Sequence, residues 1–136
     1  MAIQLGATLR NAMMDAFETV WGASATLEIW SGTKPANCAA ADAGDGAVLA
    51  TIALPTDMFN SASSGQITLK GAWADASADS SGTASHYRVK TSGASVQEQG
   101  GITVTGGGGD LTLDSVSITA GQSVTITSWT RTAGNA

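Results

Sequence analysis

Short runs of alternating apolar and polar residues, separated by glycine, serine and aspartate, occupy the chain from residue 23 onward. Alternation with a period of two places successive side chains on opposite faces of a β-strand. We count about eight such runs, which is enough to close two packed sheets. They cover residues 25–31, 47–55, 66–73, 85–91, 95–99, 102–105, 110–119 and 123–132. The sequence therefore predicts an all-β domain, a β-sandwich over residues 23–136. The longest break in it, residues 32–46, is predicted to be a flexible or functional loop.

The N-terminal segment, residues 1–22, carries a helical pattern over residues 5–21, and Gly22 is a typical C-terminal stop. One side of this helix is polar, with Asn11, Asp15 and Glu18. The opposite side is an apolar stripe, formed by Leu5, Leu9, Ala12, Met13, Ala16, Phe17 and Val20. Such a stripe packs on the protein's own sheet or docks on a partner, and we favour the first alternative.

Charged residues make up 12% of the chain, about half of the share in ordinary soluble domains. A surface of neutral polar residues is easily dehydrated, because few ions must be stripped of water. Such a surface suits a protein that neighbours cover, although a secreted β-domain has a similar composition. The net charge is −5 and the six basic residues are scattered. Because phosphate binding needs clustered cations, we expect no direct nucleic-acid binding.

We expect no membrane partner, since no apolar run approaches the length of a bilayer-spanning helix. Asp15 and Glu18 interrupt the segment in which a signal peptide would need an apolar core. The protein is therefore expected to stay where it is made, or to leave as part of something larger. The single cysteine, Cys38, has no partner for an internal disulfide and is interpreted as a bystander thiol.

The segment from Asp75 to Gly82 raises the question of a metal site. Asp75, Ser77 and Asp79 place oxygen ligands at alternate positions, as in a calcium loop. The acidic residue that would close the shell is missing, since the next acid after Asp79 is Glu98. Aspartate, serine and glycine are also the usual residues of turns. We predict a structural turn and no bound metal.

No catalytic site is expected either. His86 is the only histidine, and Ser85 beside it should point to the opposite face of the strand, so the two are predicted not to pair. The four glycines before Asp110 lack the lysine and the helix of a phosphate-binding loop, and we interpret them as a connector. We predict that the protein is not an enzyme and uses no cofactor.

Aromatic and basic side chains supply the candidate contacts of the β-domain. Trp30 and Trp129 fall on the face opposite the aliphatic residues of their own strands, where they suit a sugar platform, a protein contact or cover by the N-terminal helix. His86, Arg88 and Lys90 are predicted to alternate outward on one strand. The candidate interface residues are Met14, Phe17, Trp21, Trp30, Trp73, His86, Arg88 and Trp129.

Four segments carry a resemblance to a known group of proteins: "LEIWSGTKPAN", "AVLATIALP", "ADASADSSGTASHYRVKTS" and "GGDLTLDSVSITAGQSVTITSWTRTAGN". Together they resemble small virion structural proteins of tailed bacteriophages, and most closely the capsid cement (decoration) proteins with jelly-roll folds. The resemblance covers nearly all of the chain after the N-terminal helix. It rests on strands rich in serine, threonine and glycine rather than on a catalytic motif, and it implies no active-site residues.

The resemblance implies an eight-stranded jelly-roll-like sandwich on the exterior of a capsid, made in the bacterial host cytoplasm. The expected partners are the major capsid protein and further copies of the chain, as a homodimer or homotrimer. A cement protein binds where capsid subunits meet and holds the DNA-filled head together. The alternative is a tail or fibre module that binds a host glycan or receptor through outward aromatic residues.

Overall fold

The structure, a computed structural model, describes residues 3–134. This part of the chain contains one α-helix and eleven β-strands. They are α1 (Ala7–Trp21), β1 (Thr26–Trp30), β2 (Val48–Ala53), β3 (Gln66–Thr68), β4 (Trp73–Asp75), β5 (Gly82–Thr83), β6 (His86–Lys90), β7 (Val96–Val104), β8 (Leu111–Leu113), β9 (Ser117–Ile118), β10 (Val124–Ile126) and β11 (Thr130–Thr132). Gly22 ends the helix as predicted, with φ of 72° and its N–H donating to the Glu18 carbonyl oxygen at 3.0 Å.

Five strands form the main sheet, in the order β2-β1-β6-β7-β8. Its pairs are antiparallel except β7 with β8, which run parallel and are joined by the glycine run 106–109. The other six strands form three two-stranded ribbons, β10–β4, β11–β3 and β5–β9. A mostly β architecture with a single N-terminal helix confirms the predicted all-β class.

The strands are divided differently from the eight predicted runs. Residues 66–73, 110–119 and 123–132 each give two short strands, because the two halves pair with different partners. In contrast, 95–99 and 102–105 belong to one strand, β7, which continues through Gly100. A Cβ atom at Gly100 would lie 2.9 Å from the Tyr87 ring, so this glycine permits close packing within a strand rather than a turn.

The inner face of the main sheet lies in the core. Its fully buried side chains include Leu27, Ile29, Ile52, Tyr87 and Val89. Next to them is an aromatic cluster with ring centroids 4.9–6.5 Å apart, formed by Phe17, Trp21, Phe59, Trp73 and Trp129. This cluster joins α1 to the ribbon strands, so the helix is an integral part of the fold.

The helix packs through a different face from the one predicted. Arg10, Met14 and Trp21 are buried, whereas Leu9 and Val20 of the predicted stripe are more than half exposed. Residues 10, 14, 17 and 21 form a second stripe at helical spacing, displaced by one residue from 9, 13, 16 and 20. The buried stripe holds the aromatic side chains, which remove the larger apolar area from water. The helix packs on its own domain as expected, and Phe17 of the predicted stripe contacts the core, but the prediction was wrong for Leu9, Met13 and Val20, which stay exposed.

The polar side of α1 also contacts the protein, although Asp15 remains exposed to solvent. Glu18, Asp15 and Asn11 accept hydrogen bonds from the backbone N–H groups of Met58 (3.0 Å), Ala62 (3.0 Å) and Gly65 (2.7 Å). Backbone donors in an irregular segment need such acceptors when a helix covers them. Arg10 completes the seam by donating to the carbonyl oxygens of Ser64 (2.9 Å) and Ala133 (3.2 Å).

The turn that follows β4 covers the free edge of β2. Asp75 accepts hydrogen bonds from the N–H groups of Ser77 and Thr51, both at 3.0 Å. Asp79 accepts one from the Thr51 hydroxyl (2.8 Å), and its own N–H donates to the Leu49 carbonyl oxygen (2.8 Å). An exposed strand edge is a template for pairing with other chains. Asp75 and Asp79 therefore have a structural role: they occupy the edge of β2, where a strand of another chain could otherwise pair.

Candidate interaction surface

The apolar side chains that the fold leaves uncovered are concentrated at α1. Of five large hydrophobic residues exposed in residues 3–134, four lie in or just before the helix: Ile3 (77%), Leu9 (52%), Met13 (44%) and Val20 (54%). We define the outer face of α1 as Leu9, Ala12, Met13, Ala16 and Val20, all of which are exposed. This face contains no charged residue and extends about 16 Å along the helix axis.

A shallow groove of about 220 Å³ borders the outer face of α1. Its lining is Met13, Ala16, Phe17, Val20, Trp21 and Gln97 of β7. The outer face is thus continuous with half-buried aromatic surface. A contiguous apolar patch of this kind differs from single exposed hydrophobic residues, which are common on soluble proteins.

The two ends of α1 carry opposite charge that its own residues do not offset. Its first turn contains no acidic residue and its last turn no basic residue. Gly6, at the N-cap, has no side chain with which to cap the helix. The peptide dipoles leave positive charge at the N-terminus and negative charge at the C-terminus. Arg10 adds a positive charge near the N-terminus of the helix, and Glu18 adds a negative charge near its C-terminus.

Arg88 lies on the other face of the main sheet, beneath the 32–46 loop. Its side chain is fully buried. The guanidinium donates to Asp42 Oδ1 (2.6 Å) and to the carbonyl oxygens of Cys38 (3.1 Å) and Ala40 (2.8 Å). Burial alone would raise the pKa of Asp42, but hydrogen bonds from Lys90 and Arg88 hold it below its usual value. The loop is therefore anchored to the sheet by a buried cation.

The prediction that His86 and Arg88 point outward was wrong, because β6 is a central strand and the 32–46 loop covers its polar face. Lys90, at the margin of that layer, bonds to Glu28 and Asp42, both at 2.8 Å. The period-two pattern correctly separates the two faces of β6. It does not reveal that both faces are covered.

The prediction that Ser85 and His86 do not pair was also wrong. Ser85 Oγ lies 2.9 Å from His86 Nδ1 and 2.6 Å from the Gly32 carbonyl oxygen, to which its hydroxyl donates. Because β6 begins at His86, strict strand alternation does not apply to Ser85. The Ser85 hydroxyl thus joins His86 at the start of β6 to the Gly32 carbonyl oxygen at the start of the 32–46 loop.

His86 should make the stability of the fold pH-dependent. Burial lowers the pKa of His86 below its usual 6.5, and nearby Arg88 and Lys34 lower it further, against the opposing effect of Asp45 and Asp42. The unfolded chain then binds the proton more readily than the folded one. The contribution is fully present above pH 6.5 and is lost as the pH falls from there through the folded-state pKa.

Urea unfolding at about pH 7.5 and about pH 5.5 measures this effect, as a lower midpoint at the lower pH. The variant His86→Gln is the control, because glutamine keeps polar atoms but does not titrate. An equal decrease in the variant and in the wild type would assign the pH dependence to other groups.

Seven of the eight candidate interface residues are buried within their own chain. They are Met14, Trp21, Trp30, Trp73, His86, Arg88 and Trp129. The eighth, Phe17, is half-buried beside the outer face of α1. Trp30 stacks on His86 beneath the 32–46 loop, with ring centroids 6.1 Å apart, and the other three tryptophans form the aromatic cluster. All four tryptophans are buried, so they offer no platform to a sugar.

A partly buried polar cluster on the inner side of the sheet had no signal in the sequence. The Tyr87 hydroxyl donates to Glu98 Oε1 (2.5 Å), and Arg131 Nε donates to Glu98 Oε2 (3.2 Å). Burial and the Glu98 carboxylate raise the pKa of Tyr87, which keeps its hydroxyl protonated. Arg131 also lies over the Trp129 ring, 4.3 Å from its centroid. These residues come from distant parts of the chain, so only the folded structure brings them together.

A scan of protein-family models, a search of curated proteins and a search of solved structures each found no match to this chain. Within residues 3–134, α1 is too short and too polar to cross a membrane. The same residues contain no group of three or more histidine, cysteine or acidic side chains placed to hold a metal ion. The outer face of α1 is the feature of the described chain that the fold itself does not use.

Proposed function

We propose that this chain is a structural protein of a virus particle, a capsid cement (decoration) protein. It binds between subunits of the major capsid protein, on the exterior of the capsid, and stabilises the DNA-filled head. Its β-domain is of the jelly-roll type, and it is made in the host cytoplasm. The observation that carries the proposal is the uncovered, uncharged outer face of α1.

The outer face suits contact with a neighbouring protein. Leu9, Met13 and Val20 are each about half exposed, with small alanines between them. The hydrophobic effect favours covering such a patch, by about 25 cal/mol for each Å² of apolar surface removed from water. The helix is already fixed to its own domain by the aromatic cluster and by the hydrogen bonds of its polar side with segment 58–65. Binding therefore needs little further ordering of the chain, which favours affinity.

The polar residues of the chain support a binding role over a chemical one. Ser85 and Arg88 hold the 32–46 loop, His86 contacts Ser85, and Asp75 and Asp79 cover the edge of β2. Charged residues are only 12% of the chain, so neighbours can cover wide areas of its surface without removing many ions from water. This combination is typical of a protein whose role is to occupy space between other subunits.

The mechanism is thermodynamic linkage. A protein that binds the assembled shell but not its separated subunits stabilises the shell, by about 2.7 kcal/mol for each site at a free concentration of 100 times Kd. Many sites on one capsid add their contributions. The head then withstands the pressure of its packaged DNA over a wider range of temperature and salt.

Heads assembled with and without this chain test the proposal. We expect heads that carry the protein to release DNA at a higher temperature and to survive greater salt stress, and cryo-microscopy should place the protein on the outer surface of the capsid. The double variant Leu9→Gln, Val20→Gln should bind heads at least about tenfold more weakly.

Val104→Gln is the matched control for that experiment. Val104 is 45% exposed but lies on β7, away from the outer face of α1, so its variant should bind heads like the wild type. Equal robustness of heads with and without the protein would contradict the cement function.

A further inference from the structure

We propose that the outer face of α1 binds the same face of a second copy of this chain, with the two helices antiparallel about a two-fold axis. This inference rests on the proposed function and deepens it, because it names the partner that covers the face: on a head, copies bound at neighbouring sites would join one another through it. It concerns the purified protein as well, so it can be tested apart from any capsid.

The spacing of the outer face is symmetric along the helix. Its residues 9, 13, 16 and 20 are separated by four, three and four positions, which read the same from either end. A two-fold axis between residues 14 and 15 would set Leu9 against Val20 of the second copy and Met13 against Ala16. The long methionine of one copy would thus lie over the small alanine of the other. The small Ala12 of one copy would likewise leave room for Phe17 of the other copy. A face that complements itself in this manner is what a two-fold interface requires.

Electrostatics favours the antiparallel arrangement over a parallel one. The N-terminal end of α1 has no acidic residue and the C-terminal end no basic residue, so the peptide dipoles leave a positive and a negative end that the helix's own residues do not offset. Antiparallel packing places the positive end of each helix beside the negative end of the other. Parallel packing would bring like charges together. The outer face itself carries no charge, so no ion is buried unpaired in either copy.

The size of the contact sets its strength. A face about 16 Å long on one helix is well below the roughly 800 Å² per partner of a standard stable interface. We therefore expect a reversible dimer with a dissociation constant that is roughly micromolar or weaker. Such a dimer is dilution-sensitive in solution, and neighbouring sites on a shell would strengthen it by raising the effective concentration.

Sedimentation velocity of the full chain, from about 1 µM to about 500 µM, is the first test. We expect the mass to rise with concentration from 13.5 kDa towards twice that value. Met13→Glu places two carboxylates at the centre of the contact and should give a monomer throughout, with an unchanged melting temperature because Met13 is 44% exposed. Val104→Glu, the control, should dimerise like the wild type.

Cross-linking tests the orientation of the helices. In a Cys38→Ser background, single-cysteine chains Leu9→Cys and Val20→Cys should form a disulfide rapidly when mixed, and much more slowly when each is oxidised alone. Residues 9 and 9 of the two copies would be about 16 Å apart, beyond the reach of a disulfide, whereas 9 and 20 would be adjacent.

A monomer at every concentration, a dimer that survives Met13→Glu, or faster cross-linking of Leu9→Cys with itself would each overturn the inference. The two proposals fail separately. If the chain is always monomeric but still stabilises heads, the dimer proposal is refuted and the cement function stands. If the chain dimerises but never binds heads, the cement function is refuted and the dimer stands.

Discussion

Replacing Trp129 by alanine should lower the free energy of unfolding by about 3–5 kcal/mol, as large-to-small substitutions of buried aromatic residues do. Trp129 is 3% exposed and contacts Trp21, Phe59 and Trp73 with ring centroids 4.9–5.6 Å away. Its loss would leave a cavity where α1 meets the ribbon strands and would remove the ring beneath Arg131. Chemical denaturation at neutral pH, followed by circular dichroism, measures the change.

The variant Trp129→Phe is the internal control for this prediction. The indole Nε1 of Trp129 has no hydrogen-bond partner among residues 3–134, so phenylalanine removes an unsatisfied buried donor while it keeps most of the apolar surface. We expect it to lose less than half as much stability as Trp129→Ala. Equal losses in the two variants, or a loss below about 1 kcal/mol for alanine, would mean that the cluster does not hold α1 in place.

Replacing Arg88 by methionine should lower the free energy of unfolding by about 3 kcal/mol or more, because each hydrogen bond that involves a charged donor contributes about 1.5–3 kcal/mol and Arg88 makes several. Methionine has a similar length but no donors. It would leave the Ala40 and Cys38 carbonyl oxygens without their donor, and Asp42 without its closest cation. Hydrogen exchange should also become faster across residues 33–46, because the loop loses its anchor.

Asp42→Asn is the matched variant for Arg88. Its side chain is 37% exposed, and an amide oxygen can still accept a hydrogen bond from Arg88, so we expect a loss of about 1 kcal/mol. If Arg88→Met costs no more than Asp42→Asn and exchange in the loop is unchanged, the buried guanidinium does not anchor the loop. The loop would then depend on its other contacts, such as Gln99 with Pro35.

Single elements were predictable wherever a local pattern decides them. The helix expected over residues 5–21 forms over Ala7–Trp21, and the runs at 25–31, 47–55 and 85–91 form β1, β2 and β6 with slightly narrower bounds. Period-two alternation and a terminal glycine are properties of neighbouring residues, so the sequence contains them. The structural turn expected at Asp75 follows the same rule, since its side chain caps the N–H of Ser77 two residues later.

The candidate interaction surface, the outer face of α1, could be identified only from the folded structure. Two stripes lie side by side on α1, one with residues 9, 13, 16 and 20 and the other with residues 10, 14, 17 and 21. The first is entirely apolar and the second contains Arg10, so apolar periodicity favours the stripe that the fold leaves exposed. The second stripe is buried because its aromatic side chains join the aromatic cluster and because segment 58–65 donates hydrogen bonds to the carboxylates and the amide on the adjacent side of the helix. No pattern within residues 5–21 refers to that segment.

The amino-acid sequence by itself determined the all-β class, the single N-terminal helix and its stop at Gly22, because these follow from preferences of residues within a few positions of each other. Only the tertiary structure decided which stripe of α1 is buried, that Arg88 and His86 lie beneath a loop, and that four tryptophans are interior. Each of these outcomes depends on which surfaces meet. Burial of a side chain is settled by partners distant in the chain, which a local pattern cannot specify.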